Sequence, residues 1–284
     1  TISSSFMLQN EGDSGTDMDA GFTLAFTDGS KLDVLNAGNA SGSHDISVPA
    51  SAGSEGVTVT TTNSAPTGLD FATGSTVFGV EYHTADDFLT DGLKMSFSVS
   101  TDNGADSTST YGNDSHIGIG GTYVTDFGDS AVTMGFGYSN VEGAQTGTNP
   151  TSEENGIHFG VSAVTGDLTV AVGFADGDDI RSQATTSSPN TEIDAEVMKA
   201  GVKYVSGDLT FNVGVTASEA KDSHTFGTAG THTDSYDKTS ASVSYAIASG
   251  VTGYLGYSDV DSSDEGVDDN TDGSAWYIGA NMSF

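Results

Sequence analysis

Along most of this chain, apolar residues alternate with small polar ones, and no charged side chain enters the apolar sets. In the last segment Trp276, Ile278, Ala280, Met282 and Phe284 share one face, and Ala275, Tyr277, Gly279, Asn281 and Ser283 share the other. The same split recurs in Leu209/Phe211/Val213/Val215, Leu168/Val170/Val172/Phe174, Leu93/Met95/Phe97/Val99 and Val132/Met134/Phe136/Tyr138. It is also present in Ile117/Ile119/Tyr123, Ile157/Phe159/Val161, Met198/Ala200/Val202/Tyr204 and Ala241/Val243/Tyr245/Ile247. A period of two is the signature of a strand with one greasy and one wet face. A solvated sheet surface carries Lys and Glu, whereas a face against lipid excludes them, since Lys or Arg near the bilayer midplane costs about 2–4 kcal/mol. The opposing sets are Ser, Thr, Gly and Asn, which suit a water-filled interior. No run approaches the roughly 20 apolar residues of a transmembrane helix. A membrane-spanning form of this chain is therefore a closed antiparallel β-barrel.

Composition alone points elsewhere. The 284 residues include 40 Asp plus Glu against 7 Lys plus Arg, a formal net charge of −33. That balance excludes nucleic acid as a partner, because the chain repels phosphate backbones. With 38 Gly, 4 Pro and no Cys, disulfide frameworks and Cys-ligated zinc are excluded too. Such a composition also fits a secreted, acidic, soluble β-protein, a surface-layer or adhesin module without channel activity. That alternative predicts repeats of constant length, whereas the spacings here vary. No secretory signal follows Thr1, so the numbering is expected to begin at or inside the mature chain.

Connection lengths favour the barrel. From residue 92 onward tight turns at 126–129, 165–167, 206–208 and 248–250 alternate with long acidic stretches at 102–114, 140–155, 176–192, 218–236 and 260–273. Short periplasmic turns and long extracellular loops are the pattern of outer-membrane barrels. With strand directions so assigned, Tyr138, Phe174, Tyr257 and Trp276 fall at outer strand ends, and Tyr82, Tyr123, Tyr204, Tyr245 and Phe284 at inner ones, as two interfacial girdles. In the less regular first third, strands are expected near 2–10, 20–27, 31–36, 44–49, 56–62 and 76–83. With the later ones they make about 16 strands in a single domain over 1–284, an even number that returns both ends to the periplasmic side.

The terminal strand ending in Phe284 and the hairpin halves GDLTVAVGFADGDD and GVTGYLGYSDVD resemble the general porins of the Gram-negative outer membrane, especially those of alphaproteobacteria. The resemblance covers 76–284 well and the first third poorly. It implies a water-filled channel for passive diffusion of small polar solutes and ions, outer-membrane lipids as surroundings, a homotrimer, and Phe284 as the signal read by the barrel-assembly machinery. It also implies an inward-folded third loop facing a cluster of arginines. Here the chain departs from the pattern: Arg181 is the only Arg and falls in an outer stretch. The candidate constriction loop, 63–75, is short and carries only Asp70 as a charge, so either the constriction differs or part of 37–62 belongs to that loop and the early strands are fewer.

Strand parity turns Glu81, Lys94, His158, Lys199 and Lys203 inward, so they join Asp70 as candidate pore-lining residues. Lys199 and Lys203, two strand repeats apart on one face, form a small basic strip, but these two lysines do not offset a carboxylate-rich mouth, which concentrates cations, and a cation preference is expected. The carboxylates Asp259, Asp261, Asp264, Glu265, Asp268 and Asp269 offer oxygen ligands of the kind Ca2+ takes, although the stretch lacks the EF-hand glycine; a solvated loop without cofactor is the simpler expectation. No catalytic residues are expected: His158 and Ser162 share a face but stand two strand repeats apart, about 13 Å.

Overall fold

A computed structural model describes residues 2–6, 20–34, 39–50, 65–69, 79–101, 112–144, 151–182, 191–224, 230–263 and 271–283. The strands are β1 (Ile2–Phe6), β2 (Ala20–Ala25), β3 (Lys31–Val34), β4 (Gly79–His83), β5 (Leu93–Thr101), β6 (Gly112–Phe127) and β7 (Ser130–Ala144). They continue as β8 (Thr151–Thr165), β9 (Leu168–Ser182), β10 (Thr191–Ser206), β11 (Leu209–His224), β12 (Gly230–Ala248), β13 (Val251–Ser263) and β14 (Thr271–Met282). Among the described residues each strand pairs antiparallel with its sequence neighbours, giving one 14-stranded meander in the order β1 to β14. Among the described residues the one helical element is a 3-10 turn, Gly42–His44.

The apolar sets read from the sequence point outward. Phe136, Phe159, Val172, Phe174, Met198, Val213 and Leu255 are all exposed, while their alternating neighbours Gly137, Gly160, Gly173, Gly214 and Gly256 are buried. An exposed face of this size is untenable in water and natural against hydrocarbon. Its upper edge is marked by acids at outward positions, among them Asp176 on β9, Glu196 on β10, Glu219 on β11, Asp237 on β12 and Asp259 on β13. Tyr257 and Trp276 pack in a tilted arrangement at this edge with centroids 5.0 Å apart. The turns Gly128–Asp129, Gly166–Asp167 and Gly207–Asp208 open on a glycine with φ of 65, 56 and 59°, the first-position conformation of a type II′ hairpin. Asp167 and Asp208 carbonyls each accept a hydrogen bond from the following strand, at Val205 and Ala246, so these turns lie at one end of the sheet.

The inner face is concave. Segment 39–50 meets inward residues from β5 to β11, a span of about 29 Å if those strands lay flat at 4.8 Å spacing. Only a sheet curled around the segment brings them together.

Fourteen strands stand among the described residues, in keeping with the about 16 that the pattern suggested. One expectation is corrected. Residues 44–49 form no strand but run from the 3-10 turn as irregular backbone inside the sheet. His44, Ile46 and Val48 alternate with Asp45 and Ser47 as in a strand, but the stretch packs against the inner wall instead of pairing in the ladder, and Pro49 offers no ladder donor. The region 56–62 lies outside the described residues. The strands also reach further than the alternation suggested, so much of the acidic stretches 140–155, 176–192, 218–236 and 260–273 is paired backbone. Above the lipid edge outward acids are solvated, and the ladder continues without the apolar pattern.

Candidate functional site

Glycines on the inner face make room for segment 39–50. The strand register sets Gly120 beside Gly137, Gly135 beside Gly160, Gly160 beside Gly173 and Gly201 beside Gly214. A Cβ at Gly120 would lie 2.5 Å from the Ala40 carbonyl oxygen, one at Gly135 2.2 Å from that of His44, and one at Gly201 2.0 Å from that of Pro49. At Gly160 it would strike Ile46, and at Gly173 it would strike Leu69. The track thus runs over β6 to β11 and receives backbone at van der Waals distance, a close approach only glycine allows.

Polar contacts fasten the segment. Ser98 Oγ accepts from the Ala40 N–H at 3.1 Å. The His158 ring is buried between the Ser41 carbonyl, 3.0 Å from Nε2, and the Asp45 carboxylate, 3.0 Å from Nδ1. Asp45, His158 and Ser41 are the residue types of an acyl-transfer triad, but Nε2 meets the serine carbonyl and Ser41 is 1% exposed. No substrate reaches that hydroxyl, and the trio acts as a clasp. His44 lies against the wall with Nδ1 2.6 Å from Thr122 Oγ1 and Nε2 2.8 Å from Ser96 Oγ. Burial first, then the positive fields of His83, Lys94 and His158, lowers its pKa from 6.5 to about 4. At neutral pH the ring is uncharged and both nitrogens are engaged.

Beside the inserted segment, β10 to β12 present a basic wall. Lys199, Thr216 and Lys238 are direct cross-strand neighbours in one inward row. With Val48, Pro49, Thr67, Tyr236 and Ser240 they line a pocket of about 280 Å³. Lys199 donates to the Thr67 carbonyl at 3.1 Å and feels attraction from Asp45 and repulsion from Lys238. Lysines on the wall and a carboxylate on the inserted segment set a transverse field across this passage.

A second polar group lines the lumen toward the short-turn end. Asp33 on β3, Glu81 and His83 on β4 bring one ligand atom each within 4.8 Å of one another. His83 Nε2 is 3.3 Å from Glu81 Oε1 and 3.3 Å from Asp33 Oδ2, while Nδ1 is 2.7 Å from Ser96 Oγ. Thr23 donates to Asp33, Lys31 Nζ lies 3.1 Å from Asp33 Oδ2, and the Ser43 hydroxyl donates to Glu81 at 3.2 Å. The adjoining pocket, about 550 Å³, is lined by Lys31, Ser43, His44, His83, Lys94 and Thr122 among others.

The sequence-derived residues fall as follows. Glu81 and His158 are buried on the inner face, Lys199 is half-buried, and Lys94 and Lys203 are exposed to the lumen, Lys94 with Asp86 at 3.4 Å. Lys94 lines the lower pocket, Glu81 joins Asp33 and His83 beside it, and His158 and Lys199 meet the inserted segment. Asp70 lies outside the described residues, as do 63–64 and 70–75 of the candidate constriction loop; its described part, 65–69, touches the wall at Leu69 and Thr67. The lumen is entered earlier in the chain, by 39–50. Asp259 and Asp261 sit on β13 on its outward side, Tyr257 donating to Asp259 at 3.0 Å. Asp264, Glu265, Asp268, Asp269 and Phe284 lie outside the described residues. Sequence reasoning missed Lys238, Asp33, His44 and Asp45. Lys238 shares parity with Ser240 and Ser242, but its strand begins at Gly230, well before the alternation became visible.

No protein-family model matches the sequence, and no curated protein matches it significantly. The fold is similar to that of OmpT, an outer membrane protein of Vibrio cholerae. The loop L8 deletion mutant of OmpT superposes with a TM-score of 0.59 at 16% identity over 98% of this chain and 83% of that one. In-vitro folded OmpT gives 0.54 at 13% identity, covering 94% and 80%. The outer-membrane expressed form gives 0.50 at 14%, covering 94% and 82%. At such identities the likeness is one of fold, that of an outer-membrane β-barrel.

Proposed function

We propose that this outer-membrane β-barrel, set in the Gram-negative outer membrane by its fold and its apolar exterior, is a diffusion porin for small polar solutes and ions. The observation that carries the reading is the inserted segment 39–50, clasped by His158 and seated on the glycine track. It narrows a polar lumen on one side and leaves the Lys199–Thr216–Lys238 wall facing a passage on the other. A polar lumen with an inward segment and a transverse field sorts solutes by size and charge without chemistry. The two lysines supply, in reduced form, the basic wall that the lone Arg181 led one not to expect.

Selectivity follows from the charge balance. The excess of carboxylates at the outer end concentrates cations before entry, and the lysines at the passage moderate that preference. The resemblance to general porins further suggests a homotrimer. Planar-bilayer recording of the purified protein is the test. Discrete open-channel steps, with a reversal potential in a salt gradient of cation-selective sign, are expected. Absence of steps from folded protein removes the porin reading, and an anion-selective reversal potential removes the cation preference alone.

A further inference from the structure

We propose that Asp33, Glu81 and His83 form a binding site for a first-row divalent transition-metal ion such as Zn2+ in the lumen wall.

The first argument is spacing. A tetrahedral ion with N and O ligands at about 2.0–2.1 Å holds those ligands about 3.3–3.4 Å apart. His83 Nε2 stands 3.3 Å from each of Glu81 Oε1 and Asp33 Oδ2, two edges of such a tetrahedron. All three side chains project from adjacent strands β3 and β4, where Asp33 pairs directly with Glu81. Glu81 and His83 are buried, at 3% and 8% exposure, and the lower pocket adjoins His83. Their backbones are therefore already in place, and little ordering accompanies binding.

The second argument is the hydrogen-bond chain behind the imidazole. His83 Nδ1, Ser96 Oγ, His44 Nε2, His44 Nδ1 and Thr122 Oγ1 are linked at 2.7, 2.8 and 2.6 Å. The chain has two polarities with the same number of protons. In one, Thr122 donates to His44, His44 to Ser96 and Ser96 to His83, and His83 Nε2–H points at the carboxylates. In the other, His83 Nδ1–H donates to Ser96, Ser96 to His44, and His44 Nδ1–H to Thr122. The His83 Nε2 lone pair then faces two carboxylates and calls for a cation. A metal ion selects the second polarity by a tautomer shift, with no net proton release, and the chain behind the ring fixes its orientation as partners of ligating histidines do. Imidazole with few oxygens suits a transition metal and not Ca2+, which takes six to eight oxygens.

Lys31 is the competitor. Its Nζ lies 3.1 Å from Asp33 Oδ2, so it must swing away, which its half-exposed stem permits.

The test titrates Zn2+ into full-length, chelator-stripped protein folded in detergent, by calorimetry, with Co2+ absorption as a coordination probe. One ion per chain with four-coordinate Co2+ bands is expected. His83→Gln and Glu81→Gln should each weaken it tenfold or more, and Lys31→Met should tighten it. Asp259→Asn with Asp261→Asn, on the outer face, should leave it unchanged. Equal Zn2+ affinity in folded wild type and His83→Gln or Glu81→Gln, or no site in wild type, overturns the proposal. If the glutamine variants do not fold, failure of Lys31→Met to tighten binding overturns it instead. The measurement needs no current through the lumen, so its failure and that of the porin reading are separate events.

Discussion

His158 shows how one side chain can hold a segment against the inner wall of a barrel. Its ring joins β8 to both ends of the Ser41–Asp45 stretch, and Gly137 beside it leaves no space to spare. A Cβ at Gly137 would lie 2.1 Å from His158 Nε2 and 2.3 Å from Ser41 Oγ. Gly137→Ala and His158→Ala should therefore release the segment and raise single-channel conductance, with faster uptake of larger sugars in liposome swelling. Gly128→Ala is the contrast. Its Cβ meets nothing within 4 Å, but the φ of 65° disfavours any side chain by about 1 kcal/mol. It should lower stability to urea and leave conductance as it was.

His44 adds a pH dependence at the same scale. Its pKa in the docked state is depressed to about 4 from 6.5, so the undocked segment binds the proton more readily. Docking is complete above about pH 6.5, weakens as pH falls through the interval to about 4, and loses no more below it. Channel recordings taken downward from pH 7 should show growing noise and a larger mean opening over that interval, absent in His44→Gln. A flat profile in the wild type removes this assignment.

Among the elements, β13 and β14 pack rings over glycines. A Cβ at Gly256 would meet the Tyr277 ring, and one at Gly279 the Tyr254 hydroxyl, with the two rings 6.2 Å apart and tilted. Each ring covers the bare backbone of the neighbouring strand and steadies the last hairpin. Tyr277→Ala should lower the thermal midpoint of the folded barrel in detergent, because it removes the about 1 kcal/mol that an aromatic cross-strand contact contributes. The hairpins themselves were legible as the tight turns at 165–167 and 206–208, and Gly166 and Gly207 carry them at positive φ. The inserted segment was legible only in part: the shortness of 63–75 pointed to 37–62 as a source of the inward loop, but nothing in the pattern of 44–49 itself separates it from a strand.

Across the described residues most charges are sorted by face, with outward Lys221 and inward Asp33, Glu81 and Asp45 among the exceptions. Outward acids ring the upper edge of the apolar belt, while Lys31, Lys94, Lys199, Lys203 and Lys238 share the inward parity of their strands. The excess of carboxylates therefore acts mostly at the mouth, and the passage itself holds positive charge. Lys199→Gln with Lys238→Gln should shift the reversal potential further toward cation selectivity. The shift should shrink in 1 M salt, where the Debye length is about 3 Å. No shift at low salt would show that permeant ions avoid this wall.

Period-two alternation without charge determined, from the sequence alone, that a sheet faces lipid on one side and water on the other, because that constraint acts residue by residue along each strand. The inward parity of Glu81, His158 and Lys199 follows from the same rule. What those side chains meet did not. Glycines on separate strands become a track, and Lys199 and Lys238 a wall, only when register sets the strands side by side. Asp33 and His83 converge only across a ladder joining segments 31–34 and 79–83. Contacts across a curled sheet are set by strand pairing and closure, and no local pattern along the chain encodes them.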